Sequence, residues 1–161
     1  MYQPRDYRQW AADSDLLAFR VTVAETDLYI KARKDLEPDA RAAILTHRSA
    51  LEAYVADHPD FLTSLEPVPV LRSAPEMVRE MAEAAAKVGV GPMAAVAGAI
   101  AEKVGRELLR LSPEVIVENG GDIFLRGLKQ RLVGLYAGDS PFTGAIALEV
   151  EWNETPLGIC T

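Results

Sequence analysis

Two short stretches of this 161-residue chain carry residue types that can do more than fold. Gly89-Val90-Gly91-Pro92 opens an alanine-rich segment, and Glu118-Asn119-Gly120-Gly121-Asp122 joins two apolar runs. Glycines bring backbone N–H groups near solvent without a side chain in the way. A helix starting at such a turn adds the positive end of its dipole, so the pair can hold an anion or a nucleotide. Both stretches also have plain structural uses. Gly89–Pro92 can cap one helix and restart the next, and Asn-Gly-Gly supplies positive φ for a tight hairpin. On local pattern alone the structural use is favoured at both. The candidate ligand-binding residues are Gly91, Pro92, Met93 and Ala94 at the helix entrance and Asn119, Gly120, Gly121 and Asp122 at the turn. There Asp122 or Glu118 would bind a polar edge while Gly120 and Gly121 let a ring or phosphate reach the backbone.

Other reactive side chains are few. His47 lies beside the apolar stripe of a predicted helix and His58 at its end, without partners at metal-ligand spacing, so both read as structural. His58 is expected to meet last-turn carbonyls. The single cysteine, Cys160, excludes an internal disulfide framework and a CxxC metal site. A lone cysteine is most often a small buried hydrophobe. Cys160-Thr161 is also a candidate processing site, at which an N→O acyl shift would cleave a longer precursor. The other explanation of that ending is a loop cut or a shortened chain.

Composition narrows the function classes. Lys plus Arg number 17 against 24 Asp plus Glu, giving a net charge of −7. An acidic chain without a basic, aromatic-interleaved cluster is a poor partner for nucleic acid. The longest apolar run, Met93 to Ile100, is too short for a bilayer, and MYQPRDYRQW has no apolar signal core. With one thiol, these features point to the cytoplasm and away from the membrane.

The elements that must position the candidates follow from periodicity. Residues 1–14 read as polar and irregular, with Tyr7 and Trp10 able to cover a ligand or dock on a sheet. Leu16–Ala24 and Leu28–Arg33 form a hairpin turned by Glu25–Asp27. Pro38 opens a helix with Ile44, Leu45, Leu51, Tyr54 and Val55 on one face, ending before Pro59. Phe61–Leu65 is a helical turn and Glu66–Val70 is extended. The next helix follows Ser73-Ala74-Pro75, with Met77, Met81, Ala84 and Val88 as its stripe and Gly89 as a left-handed cap. A further helix runs from Gly91-Pro92 to about Leu111. It carries Met93, Val96, Ile100, Val104 and Leu108 on one stripe and Ala94, Gly98, Ala101 and Gly105 on a second, small-residue stripe. Val115–Glu118, Ile123–Arg126, Leu132–Ala137 and Ala145–Trp152 are strands joined by short turns, hence antiparallel. The fold class is α+β, one domain over 1–161 with an antiparallel sheet backed by helices.

The helix–strand–turn–strand segment resembles the ApbE-like superfamily, known for FAD:protein FMN transferases. The matching residues are Gly98-Ala99-Ile100-Ala101 in the helix and Asn119-Gly120-Gly121-Asp122 at the turn. GPMAAVAGAIAE, ENGGD and the Leu157–Thr161 ending look similar to an uncharacterised branch of it. The resemblance implies a T-fold whose C-terminal part lies beyond this chain, FAD or FMN as ligand, and Mg²⁺ supplied by residues outside this chain. It places Gly91–Ala94 and Asn119–Asp122 toward the ligand. The chain departs from the transferase pattern. Val90-Gly91-Pro92-Met93 lacks the acidic residue of the helix entrance, Glu102 stands where a lysine falls, and no D-A-x-x-T motif is present.

Three functions are open on this basis. The first is a nucleotide- or flavin-binding protein that transfers or hydrolyses a phosphate-linked group. The second is a binding module without that chemistry. The third is an assembly subunit whose partner is a C-terminal fragment of the same precursor or another copy in a homo-oligomer.

Overall fold

The computed structural model describes residues 15–160, so the readings of residues 1–14, including Tyr7 and Trp10, and of Thr161 lie outside the described residues. A five-stranded antiparallel sheet, ordered β1-β2-β3-β4-β7, forms the frame. It comprises β1 (Leu17–Val23), β2 (Thr26–Ala32), β3 (Val115–Asn119), β4 (Asp122–Arg126) and β7 (Leu157–Ile159). The α+β class and the helical backing agree with the sequence reading. The sheet plan differs from it in two respects. The last two predicted strands, β5 (Arg131–Gly134) and β6 (Ala147–Val150), pair only with each other as a separate ribbon. The segment after Pro156 supplies β7 instead, which closes the main sheet against β4.

One face of this sheet is the core. Val21, Leu28, Ile30 and Ala32 align across β1 and β2 with Val115, Val117 and Phe124 of β3 and β4, and all are buried. Side chains alternate along a strand, so these same-parity residues share a face. The helices α1 (Glu37–Asp57), α3 (Glu76–Val88) and α4 (Val96–Leu108) cover it with Ile44, Leu51, Met77, Met81, Ile100, Val104 and Leu108. The short α2 (Pro59–Thr63) adds Phe61, whose ring meets Tyr54 edge-on at 5.3 Å.

The stripes are corrected in detail. Leu45 is exposed, whereas Ala40 and Ala43 are buried in its place on α1. On α3 the buried set is Met77, Val78, Met81, Ala82 and Ala85, leaving Ala84 and Val88 outside. The first hairpin is tighter than read, with Val23 opposite Thr26 and Ala24 at φ 49°. Arg48 of α1 then reaches Thr26 Oγ1 at 2.8 Å and the Glu25 carboxylate at 2.7 Å, tying helix to hairpin.

Gly89 ends α3 in the left-handed conformation, φ 73°, as read. Its successors do not start an α-helix at once. Pro92–Ala95 form a 3₁₀ turn before α4, and α3 is bent by 108° from the Pro92–Leu108 segment. Among the described residues, no single helix is long and apolar enough to cross a membrane.

Candidate functional site

The fold sets the Asn119–Asp122 turn against the first turn of α4, while Gly91 packs against Ser64. Asn119 closes β3, and its Nδ2 donates to the carbonyl of Ala97 in the first turn of α4 at 3.0 Å. Asp122 opens β4 across the hairpin from Asn119. Its carboxylate oxygen lies 3.5 Å from where a Cβ on Gly98 would stand. Gly120 and Gly121, at φ 64° and 108°, form the two-residue turn, a conformation that favours glycine. The carboxylate beside the first turn of α4 is thus the protein's own, and it complements the positive helix end.

The geometry sets what this end can bind. The Gly121 N–H donates to the Glu118 carboxylate at 2.9 Å, so that donor is already used. Glu118 and Asn119 are buried, Asp122 is half-buried and Gly120 is exposed. Two carboxylates within five residues make the tip anionic. Carboxylates accept hydrogen bonds from groups such as an amine, a hydroxyl or a base edge.

The helix entrance is more closed than its glycines imply. Gly91 and Pro92 are buried, Met93 is half-buried and Ala94 is exposed. A Cβ on Gly91 would stand 1.8 Å from the Ser64 carbonyl oxygen, so glycine here admits the chain after α2. The small-residue stripe of α4 has a similar cause. A Cβ on Gly105 would stand 2.2 Å from the Phe124 ring, and Ala101 is fully buried. The stripe lets α4 lie against the sheet.

The remaining candidates are placed elsewhere. His47 Nε2 meets Glu107 Oε1 at 2.6 Å, joining α1 to α4. His58 stacks on Tyr54 at 4.1 Å, and its Nδ1 is 3.0 Å from the Tyr54 carbonyl, the last-turn contact read from the sequence. Cys160 follows β7 and is exposed, which corrects its reading as a buried hydrophobe. No group of three or more His, Cys, Asp or Glu able to hold a metal occurs among the described residues. Two open depressions lie away from the glycine segments. One of about 250 Å³ is lined by Asp39, Ala42, Glu107 and Leu111 among others. The other, of about 450 Å³, lies between Val70–Arg72, Arg79 and Glu83.

Sequence reasoning missed a buried ionic cluster. Glu114 is fully buried, and its carboxylate accepts from Arg131 Nε at 2.9 Å, Arg33 Nη2 at 2.8 Å and the Leu128 N–H at 3.2 Å. Arg131, itself buried, also donates to Asp15 at 3.0 and 3.2 Å. Hydrogen bonds from Arg131 and Lys129 hold the Asp15 carboxyl well below the ordinary carboxylate range. The signal was a glutamate directly ahead of an apolar strand, in a segment read only as a helix stop. The cluster joins the β5 strand to the ends of β2 and β3.

Fold and site together define a small α+β domain with an anionic hairpin tip at the first turn of a helix. The chain belongs to the family described as "AbpE bacteria", whose model it matches over residues 8–161. It is similar to UPF0280 proteins. One from Methanopyrus kandleri is 45% identical over 148 residues, covering 91% of this chain and 59% of that protein. One from Methanocaldococcus jannaschii is 44% identical, covering 88% and 59%. One from Methanococcus aeolicus is 37% identical, with the same coverage of 88% and 59%. The chain thus spans about three-fifths of the length of these curated relatives. These matches correct the ApbE-like resemblance. Neither the family nor these relatives indicate a relationship to FAD:protein FMN transferases, and the similarity of the Asn119–Asp122 turn is that of a glycine hairpin.

Proposed function

We propose that this protein is a non-catalytic assembly module that docks another polypeptide through its β5–β6 ribbon. The observation that carries this is the ribbon's apolar face. Arg131 lies opposite Val150 and Val133 opposite Leu148, and the Leu135 N–H donates to the Ile146 carbonyl at 2.9 Å. Alternation puts all six side chains on one face. That face begins buried, at Arg131 and Val150, and then leaves the domain. Leu148 is 55% exposed, Ile146 46% and Leu135 42%. A lone two-stranded ribbon is marginal in water, and covering each half-exposed aliphatic side chain is worth roughly 1 kcal/mol. An apolar surface of this kind marks an interaction site.

The test is emission of the apolar dye ANS with the whole chain. The ribbon should bind dye, and the double variant Ile146→Asp, Leu148→Asp should lose most of the emission while keeping its far-UV spectrum. Equal emission from both proteins would sink the docking reading.

A second reading rests on the meeting of Asn119 and Asp122 with the first turn of α4. There the tip would hold a small ligand through donors or a cation, with FMN or FAD plus Mg²⁺ as probes. Saturating ligand should raise the melting temperature, by an amount set by concentration over Kd, and Asp122→Asn should abolish the rise. No shift with any probe counts against this reading.

A further inference from the structure

We infer that the occupant of the ribbon face is a polypeptide equivalent to the two-fifths of the curated relatives' length that this chain does not match, and not a second copy of this chain. The inference rests on the docking reading above and adds the partner. Two observations choose it.

The first is length. The relatives share 37–45% identity with this chain over 59% of their own residues. Their additional residues are polypeptide that must be accommodated beside the shared fold. Among the described residues, the ribbon is a sheet surface whose outer side chains stand half-exposed. Arg131 and Val150 are anchored, while Val133, Leu135, Ile146 and Leu148 continue the same face outward. Phe142, in the connecting loop, and Leu132, on the opposite face, are 58% and 68% exposed. A partner segment pairing with the ribbon would cover Val133, Leu135, Ile146 and Leu148 on its apolar face.

The second is charge. Asp139 in the connecting loop and Glu151 and Glu154 beyond β6 are exposed, and Glu149, opposite Leu132, is exposed on the ribbon's other face. Two basic groups at the base of the ribbon are engaged within the domain: Arg131 is buried on Glu114, and Lys129 meets Asp15 at 3.0 Å. A second copy would bring the same acidic rim against this one, and the chain carries a net charge of −7. Like charges facing each other across an interface select against self-pairing. The fitting partner segment is apolar at its centre with lysine or arginine at its edges.

The test co-expresses the full chain with a tagged polypeptide comprising the longer portion of the Methanopyrus kandleri relative outside its matched segment. The expected result is co-purification, with slowed amide exchange in residues 131–136 and 145–150 and loss of ANS emission. Ile146→Asp with Leu148→Asp should weaken capture by roughly tenfold or more. Leu71→Asp, an exposed leucine far from the ribbon in sequence, should leave capture unchanged. Capture that survives the ribbon variants overturns the inference. So does a homodimer of the chain alone that Ile146→Asp dissociates, which would make the second copy the occupant. No capture, with ANS emission still dependent on residues 146 and 148, overturns this partner and leaves the docking surface standing. No capture, with emission independent of those residues, overturns both.

Discussion

At the residue scale, the glycines illustrate how one residue type serves distinct physical needs. Gly120 and Gly121 are required for their positive φ, and Gly91 and Gly105 for their missing side chains. Alanine at Gly105 would ordinarily favour the helix by about 1 kcal/mol. Here its methyl would strike the ring of Phe124, which is buried and cannot swing away. Gly105→Ala should therefore destabilise the fold by about 1–3 kcal/mol, the usual range for overpacking. Gly91→Ala should cost at least as much, because the obstacle is the Ser64 backbone. Thermal melts of both variants check this, and a Gly105→Ala protein that melts above the parent would show that α4 is not held against β4. The sequence marks Gly105 as part of a small-residue stripe and Gly91 as part of the helix entrance. Whether the neighbour was a ligand or Phe124 was a question about residues 19 positions apart in the chain.

At the element scale, the ribbon is fastened to the main sheet by the charges around Glu114. That carboxylate meets guanidinium groups from β2's end and from β5, and the Leu128 N–H between β4 and β5. Removing one partner from a buried pair leaves the other charge unsatisfied, at a cost of about 3–5 kcal/mol. Glu114→Ala should produce a loss of that order. Its distinguishing mark is faster amide exchange in residues 131–134 and 147–150 than in β2 and β3, as expected for a local opening. Uniform acceleration across both sheets would mean that the ribbon is not a separate cooperative unit. The sequence foresaw the two strands and their antiparallel pairing. It could not assign them to a second sheet, because alternation along a strand says which residues share a face and not which sheet receives them. For the same reason Leu157–Ile159, with only three residues of pattern, does not announce itself as the strand that pairs with β4.

At the scale of the whole molecule, stability should fall in acid partly through Asp15. Its carboxyl is held below its ordinary value by hydrogen bonds from Arg131 and Lys129 and by their charges. The depressed value means that the folded state keeps this group ionised where the unfolded chain has protonated it. Its contribution is complete above the unfolded carboxylate range, near pH 3.9, and is lost as pH falls toward the folded value. Asp15→Asn should lower stability at neutral pH and flatten the decline of melting temperature below about pH 4. Parallel pH profiles for parent and variant would remove Asp15 from the acid response. The family model matches residues 8–161, and two UPF0280 proteins are 44–45% identical over 88–91% of this chain. The glycine turn had suggested a different kinship, which is the expected failure of a short motif whose local geometry has a structural use.

By itself the sequence determined the kinds of elements and most of their faces. Helical and strand periods are local properties, as are the proline that opens α1, the left-handed glycine after α3 and the positive-φ turn between β3 and β4. It also singled out the Gly89–Pro92 and Asn119–Asp122 segments for their glycines. Only the tertiary structure decided what those segments do. Burial of Gly91 under Ser64, the placement of Asp122 against α4 and the use of the Gly121 N–H by Glu118 arise from contacts between elements. The Glu114–Arg131 pairing and the exposed face of the ribbon likewise depend on where the packed core ends. A residue's own period cannot encode that limit, because burial is a property of what lies opposite.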